Sequence, residues 1–164
     1  MRIPVTTLND GYDFPLLGLG TYKLQGAEVE KVVRTAIELG YRHIDTASVY
    51  DNEVEVGKAI NAAIAAGDVT REELFITTKL WNDDQTRAGQ AYQESLAGLG
   101  LDFVDLYLVH WPCPQQGTYL QAFEQVAVFG AVADHVEVAA DEQDLVRCDA
   151  LGLDKGAHLV ELTG

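Results

Sequence analysis

Short apolar runs alternate along the chain with longer amphipathic segments, beginning near residue 16. The short runs predict strands, whereas the longer segments repeat their apolar side chains at helical spacing. The predicted strands are Leu16–Gly20, Arg42–Asp45, Leu74–Lys79 and Phe103–His110. The predicted helices are Ala27–Leu39, Asn52–Ala66, Thr86–Leu99 and a fourth from Gly117 to about Ala127. A glycine follows each of the first three helices, as is typical of a left-handed helix cap.

Four strand–helix units in succession predict parallel strands joined by right-handed crossovers. An open doubly wound sheet and a (β/α)₈ TIM barrel both have this order. A dinucleotide-binding open sheet needs a glycine fingerprint in its first turn, but Lys23 stands where the third glycine belongs. We therefore expect an α/β fold of the TIM-barrel type, here an incomplete barrel of about four βα units. The Asn9-Asp10-Gly11 turn predicts a β-hairpin before it, at the bottom of the barrel.

Candidate catalytic residues lie where the predicted strands end. Asp45, Lys79 and His110 end the second, third and fourth strands, and Tyr50 lies in the loop five residues beyond Asp45. Active sites of (β/α)₈ barrels form at the carboxyl ends of the strands. Each of these residues has an ordinary structural interpretation when taken alone. Their joint placement at successive strand ends is what predicts a common site.

The chemistry of these four side chains suits reduction of a carbonyl group, which needs a hydride and a proton. A tyrosine hydroxyl, with an ordinary pKa of about 10, is a reluctant acid, and a nearby ammonium group favours its phenolate form. A carboxylate such as Asp45 would keep Lys79 charged and oriented, and His110 could polarise the substrate oxygen. The set predicts general-acid catalysis by Tyr50 without a metal or a covalent intermediate.

The composition narrows the classes of partner. The formal net charge is −15 and the sequence pI is about 4.4, which argues against nucleic acid or an anionic membrane as a partner. No apolar run approaches the roughly 18 residues of a membrane span, and residues 1–10 do not resemble a signal peptide. Cys113 and Cys148 form neither a disulfide framework nor a metal-ligand spacing. We expect a cytoplasmic protein.

Four sequence blocks resemble those of the aldo-keto reductase family. Their residues are most similar to those of bacterial members that resemble 2,5-diketogluconate reductases. The first block, GLGT, covers residues 18–21, and ITTKLW and DLYLVHWP cover residues 76–81 and 105–112. The longest block, GYRHIDTA, covers residues 40–47 and is followed by Tyr50, Asn52, Glu53, Val56 and Gly57. The resemblance extends in unbroken order from about Val5 to Val126.

The resemblance implies a function and a set of site residues. It implies that Asp45, Tyr50, Lys79 and His110 are catalytic, with Tyr50 as the acid, and that NADPH donates the hydride to a small-molecule carbonyl substrate. It also implies that cofactor contacts come from Gly20, Thr21, Tyr22 and Asp45, and that Trp81 and Trp111 join His110 in the substrate pocket. The two tryptophans could equally be plain core aromatics.

The predicted domain organisation has two parts. Residues 1–127 resemble the N-terminal half of a reductase barrel, whereas residues 128–164 are atypical and acidic, as in a frame-shifted or disordered segment. Four strands cannot close an eight-stranded barrel, so we expect open edges, possible self-association and little or no reductase activity.

Two other functions stay open from the residues alone. One is an inactive fragment, or a half-barrel that assembles with another half. The other is a metal-dependent barrel hydrolase, with His43, Asp45 and His110 as its ligands.

Overall fold

The computed structural model describes residues 3–8 and 11–130 of the chain. Its strands are β1 (Val5–Thr7), β2 (Asp13–Pro15), β3 (Gly18–Gly20), β4 (His43–Asp45), β5 (Phe75–Leu80) and β6 (Leu106–Val109). Its α-helices are α1 (Ala27–Glu38), α2 (Glu53–Ala66), α3 (Ala88–Leu99) and α4 (Tyr119–Gly130). The predicted atypical segment comprises residues 128–164; residues 128–130 end α4, and the rest of the segment, with Cys148, lies outside the described residues.

The larger sheet contains four parallel strands in the order β3-β4-β5-β6. In its register Gly20 pairs with Asp45, Asp45 pairs with Thr77, and Lys79 pairs with Leu108. Each strand is connected to the next by a helix, which confirms the predicted succession of strand–helix units. Because the strands are parallel and in sequence order, their carboxyl ends lie along one edge.

The helices bury their apolar faces against this sheet and against each other. Val29, Val33 and Ile37 of α1 are buried, and Ile44 and Ile76 contribute the sheet's share of the core. Helices α2 and α3 end at Gly67 and Gly100, both in the left-handed conformation that their sequence positions predicted. The core therefore forms between the sheet and one layer of helices.

Strands β1 and β2 form the predicted antiparallel hairpin, in which Thr6 pairs with Phe14. The ring of Phe14 packs edge-on against His43 and Phe75, with ring centroids 5.0 and 5.1 Å away. His43 and Phe75 are the first residues of β4 and β5. The hairpin therefore packs at the amino end of the sheet, at the bottom, as predicted.

Four predicted starts were wrong by two or three residues, those of β3, β6, α3 and α4, and the local structure explains two of them. Strand β6 begins at Leu106 and not at Phe103, because its regular pairing with β5 begins there, although the Asp105 N–H still donates to the Ile76 carbonyl of β5. Arg71 donates to the Phe103 carbonyl and to the Asp105 carboxylate, and lies over the Phe103 ring. The third helix begins at Ala88, since Asn82–Arg87 forms a 3₁₀ helix.

Candidate active site

The four predicted catalytic residues converge at the carboxyl ends of β4, β5 and β6. Asp45 is the last residue of β4, Lys79 is the penultimate residue of β5, and His110 directly follows β6. Tyr50 ends a short 3₁₀ helix, Ser48–Tyr50, that follows β4. The parallel register thus brings side chains 65 residues apart in sequence to one edge, as we expected from the strand order.

Lys79 is the centre of this cluster. Its ammonium nitrogen Nζ lies 2.6 Å from Asp45 Oδ1, 2.8 Å from the Thr46 carbonyl oxygen and 3.5 Å from the Tyr50 hydroxyl. The side chain is only 13% exposed, so these three oxygens replace most of its water. A charged donor held in this way polarises the phenol from a fixed position.

The segment that carries Tyr50 is anchored by two hydrogen bonds between side chains and backbone carbonyls. The Gln25 side-chain amide donates to the Tyr50 carbonyl at 2.8 Å, and the Ser48 hydroxyl donates to the Lys79 carbonyl at 3.1 Å. Asp51 has a positive φ of 54°, which turns the chain from the 3₁₀ helix into α2. These contacts fix the half-buried tyrosine beside β5.

His110 faces Tyr50 edge-on, with the ring centroids 5.8 Å apart. Its backbone N–H donates to the Leu80 carbonyl, which fixes the start of the loop after β6. Burial lowers the pKa of His110, the Lys79 ammonium lowers it further, and Asp45 opposes both. The imidazole is therefore neutral at neutral pH and presents one N–H donor. Its Nδ1 atom is buried without a hydrogen-bond partner among the described residues.

Three aromatic side chains surround the cluster. Trp81 packs edge-on against His110 at 5.2 Å between centroids, and Trp111 stacks on the same ring at 6.3 Å. The ring centroids of Tyr22 and Tyr50 lie 5.1 Å apart, and Tyr22 is 64% exposed. Trp111 is 47% exposed, so it is not a core aromatic. These rings form an apolar rim around the polar centre, as a substrate pocket requires.

The turn after β3 adjoins the same site. Gly20 pairs with Asp45, and the Thr21 N–H donates to the Asp45 carbonyl at 3.0 Å. Thr21 is fully buried, and its hydroxyl donates to Thr46 Oγ1 at 2.9 Å. Its side chain therefore supports the turn from the interior, whereas Gly20 and Tyr22 form the accessible surface.

Two buried amide side chains also support the site. Asn52, which the sequence brought in only through the family resemblance, donates to the Thr21 and Leu24 carbonyls and accepts from Thr46. Gln85, which no pattern singled out, binds the loop after β6. Both residues stand between polar neighbours, Asp51 and Glu53 in one case and Asp84 and Thr86 in the other, so no hydrophobic pattern marked them.

The ligand set of the metal-dependent hydrolase alternative does not form. His43 Nε2 lies 3.0 Å from Thr77 Oγ1, its ring contacts Phe14 and Phe75, and burial lowers its pKa. Within residues 3–8 and 11–130, no three His, Cys, Asp or Glu side chains are grouped closely enough to hold a metal ion.

In the same part of the chain, no helix is both long and apolar enough to cross a bilayer. The cytoplasmic location and the lack of a nucleic-acid partner stay predictions.

A parallel, barrel-type sheet with Tyr, Lys, Asp and His side chains grouped at its strand ends is typical of a (β/α)-barrel protein with a site at the carboxyl edge of its strands. The profile of the aldo/keto reductase family matches residues 16–141. The chain belongs to this family, which confirms the resemblance noted in its sequence.

Curated relatives support the same family assignment. The methylglyoxal reductase DkgA of Salmonella typhimurium is 53% identical over 120 residues, covering 73% of this chain and 42% of that protein. An aldo-keto reductase of Mycobacterium tuberculosis is 52% identical over 122 residues, with the same coverage. The chain thus spans about half the length of the curated relatives it matches.

Solved structures confirm the predicted barrel fold. The crystal structure of an aldo/keto reductase from Brucella melitensis has a TM-score of 0.78 and 38% identity, covering 86% of this chain and 55% of that one. A second aldo-keto reductase, crystallised as a complex with NADPH, has a TM-score of 0.75 and 34% identity, covering 84% and 48%.

Proposed function

We propose that this cluster is the catalytic centre of an NADPH-dependent reductase that converts an aldehyde or ketone to an alcohol. The observation that carries the proposal is the position of Lys79 Nζ, which lies 2.6 Å from Asp45 Oδ1 and 3.5 Å from the Tyr50 hydroxyl. An ammonium group so placed can donate to the phenolic oxygen while a carboxylate holds it in position. This is the arrangement that a tyrosine general acid requires.

Each residue then has a distinct role. Tyr50 donates its hydroxyl proton to the carbonyl oxygen of the substrate, and Lys79 stabilises the negative charge that remains on the phenol oxygen. Asp45 holds the ammonium group in position and aims it at the phenol. His110 is neutral because burial lowers its pKa, so it donates one hydrogen bond to the same substrate oxygen and does not compete as an acid.

The residues at the β3 turn fit the nicotinamide end of NADPH, which supplies the hydride when bound. Nothing lies within 4 Å of the position that a Cβ atom would take on Gly20, so the backbone there is open to a flat ring. Tyr22 is largely exposed beside Tyr50 and offers an aromatic face. Asp45 borders this surface through its pairing with Gly20, and Thr21 shapes the turn from inside.

Activity is measured as NADPH oxidation at saturating methylglyoxal, a substrate suggested by the name of the DkgA relatives. Tyr50→Phe removes the proton donor and is expected to lower kcat by about 10²-fold or more. The matched control is Tyr12→Phe, an exposed tyrosine of the hairpin segment at the other end of the sheet. Equal rates for wild type and Tyr50→Phe would disprove the assigned role of Tyr50.

We also propose that the chain self-associates and that its turnover is low. In the described residues β3 pairs only with β4, and β6 pairs only with β5, so each has one open edge. Leu16 and Leu17, beside β3, are 59% and 41% exposed. Open strand edges beside apolar side chains promote pairing with another chain. Light scattering after size-exclusion chromatography is expected to give a mass above 17.9 kDa, and a monomer at all concentrations would contradict this.

NADPH binding distinguishes an inactive fragment from a slow enzyme. Trp81 and Trp111 lie beside the site and report on it by fluorescence. A slow enzyme quenches this fluorescence saturably when NADPH is added, whereas an inactive fragment shows neither saturation nor turnover.

A further inference from the structure

Gln85 is a buried polar residue outside the four-residue catalytic cluster. It lies in the 3₁₀ helix Asn82–Arg87, directly after β5 and Trp81, and is 1% exposed. A buried amide is stabilising only when its donors and acceptor find partners. Here its partners all belong to the segment that follows β6.

The amide of Gln85 contacts both ends of that segment, which we call the Trp111–Thr118 loop. Its Nε2 donates to the Trp111 carbonyl at 2.8 Å and to the Pro112 carbonyl at 3.2 Å. Its Oε1 accepts from the Thr118 hydroxyl at 2.6 Å. One side chain therefore holds the beginning of the loop and the residue that directly precedes α4.

Trp111 depends on this contact in a way that His110 does not. The His110 backbone is fixed separately, by its N–H bond to the Leu80 carbonyl. The Trp111 side chain is 47% exposed and stacks on His110 at 6.3 Å, so packing alone holds it weakly. Its backbone carbonyl, in contrast, is fixed by a buried donor on a neighbouring element.

We propose that Gln85 is a positioning residue that fixes Trp111 against the substrate site and thereby tunes the binding of carbonyl substrates with an apolar ring. The inference rests on the proposed reductase function. Substrates large enough to reach the indole depend on its position, whereas a small carbonyl compound held by Tyr50 and His110 does not. Gln85 thus affects the KM of an aromatic aldehyde more than that of methylglyoxal, and leaves proton donation by Tyr50 unchanged.

The test variant is Gln85→Met, which keeps the length of the side chain and removes the amide. The matched control is Gln90→Met, because Gln90 is an exposed glutamine of α3 whose amide donates only to Glu94 on the surface of that helix. The first readout needs no catalysis. The chain has two tryptophans, so the Trp81→Phe background leaves Trp111 as the single reporter. Gln85→Met is expected to lower its fluorescence anisotropy, and Gln90→Met is expected to leave it unchanged.

The second readout is the split between KM and kcat in the chain with both tryptophans. Gln85→Met is expected to raise KM for benzaldehyde about three- to tenfold, the equivalent of one or two hydrogen bonds, with smaller changes for methylglyoxal. The kcat and the affinity for NADPH are expected to stay within about twofold. A fall in kcat at unchanged KM, or an unchanged anisotropy, overturns the proposal.

The two readouts separate failure of this inference from failure of the proposed function. If the wild-type chain shows no turnover, the anisotropy still decides whether Gln85 holds Trp111. If Gln85→Met does not fold, Gln85→Asn replaces it, since the shorter amide keeps the buried position polar but cannot reach the Trp111 carbonyl and the Thr118 hydroxyl together. With this replacement variant, any reproducible decrease in the Trp111 anisotropy, even one smaller than twofold, supports the proposal, and an unchanged anisotropy overturns it.

Discussion

Asn52 should be the most sensitive polar residue of the described fold, and Asn52→Leu tests this directly. The side chain is 1% exposed and connects three segments. It donates to the Thr21 and Leu24 carbonyls at 2.9 and 3.0 Å and accepts from the Thr46 hydroxyl at 3.0 Å. Leucine has a similar volume, so the substitution removes these three bonds with little change in packing.

The expected magnitude follows from what is left unpaired. The Thr21 carbonyl keeps its bond from the Leu24 N–H, and Thr46 still accepts from Thr21. In the variant, the Leu24 carbonyl has lost the Asn52 amide as its donor, and the Thr46 hydroxyl has lost it as its acceptor. Each unpaired buried group destabilises by about 1–3 kcal/mol, so the two together should lower the free energy of unfolding by about 2–6 kcal/mol.

The assay is urea unfolding monitored by circular dichroism at one protein concentration, with Asn61→Leu as the control. Asn61 also donates to three carbonyls, those of Gly57, Leu99 and Gly100, but Asn61 itself is exposed to solvent. Water can replace these bonds, so the loss is expected to stay below about 1.5 kcal/mol. If Asn52→Leu is no more destabilising than Asn61→Leu, burial does not govern the strength of these contacts and our reasoning is refuted.

Three further predictions concern stability. Burial raises the pKa of the Glu53 carboxyl above its ordinary 4.5. The contribution of Glu53 to the free energy of unfolding is therefore favourable at low pH and is lost as pH rises through the folded-state pKa. Glu53→Gln should stabilise the protein more at pH 7.5 than at about pH 4 in urea titrations. The buried Tyr107 hydroxyl has no partner among the described residues, so Tyr107→Phe should raise the free energy of unfolding by about 1 kcal/mol, and a loss in the same titration would contradict this. A Cβ atom on Gly57 would lie 2.1 Å from the Leu99 carbonyl oxygen, whereas one on Gly98 meets nothing closer than 3.7 Å; Gly57→Ala should lower Tm markedly and Gly98→Ala should not.

The fold was predictable where the physical cause is local in sequence. The apolar spacing of α1 and the left-handed glycines that end α2 and α3 are properties of neighbouring residues, and the structure has them where the sequence indicated. The start of β6 was not predictable in this way. Phe103 and Asp105 look like strand residues by themselves, but Arg71, more than 30 residues earlier, binds the Phe103 carbonyl and the Asp105 carboxylate beside the start of the strand.

The same distinction between local and distant causes applies to the residues of the site. Asp45, Lys79 and His110 could be placed together because parallel strands in sequence order align their carboxyl ends, so position along each strand is enough. Asn52 and Gln85 could not, because their significance depends on carbonyl groups 26 to 31 residues away that no periodicity marks. Sequence patterns therefore find the groups that do chemistry sooner than the groups that hold them in place.

This difference matters for the chemistry itself. A proton can pass only when donor and acceptor are within hydrogen-bond reach, so an error of about 1 Å at Tyr50 is as damaging as a wrong residue. The four reacting groups are held by separate elements. Among their own side chains, hydrogen bonds join only Lys79 to Asp45 and to Tyr50, so the other distances are set by residues outside the cluster. Asn52 joins the β3 turn to the end of β4, and Gln85 joins β5 to the loop after β6. Asn52 thus connects two consecutive strand ends at the edge where the catalytic cluster forms, whereas Gln85 holds the loop that carries Trp111 beside the cluster.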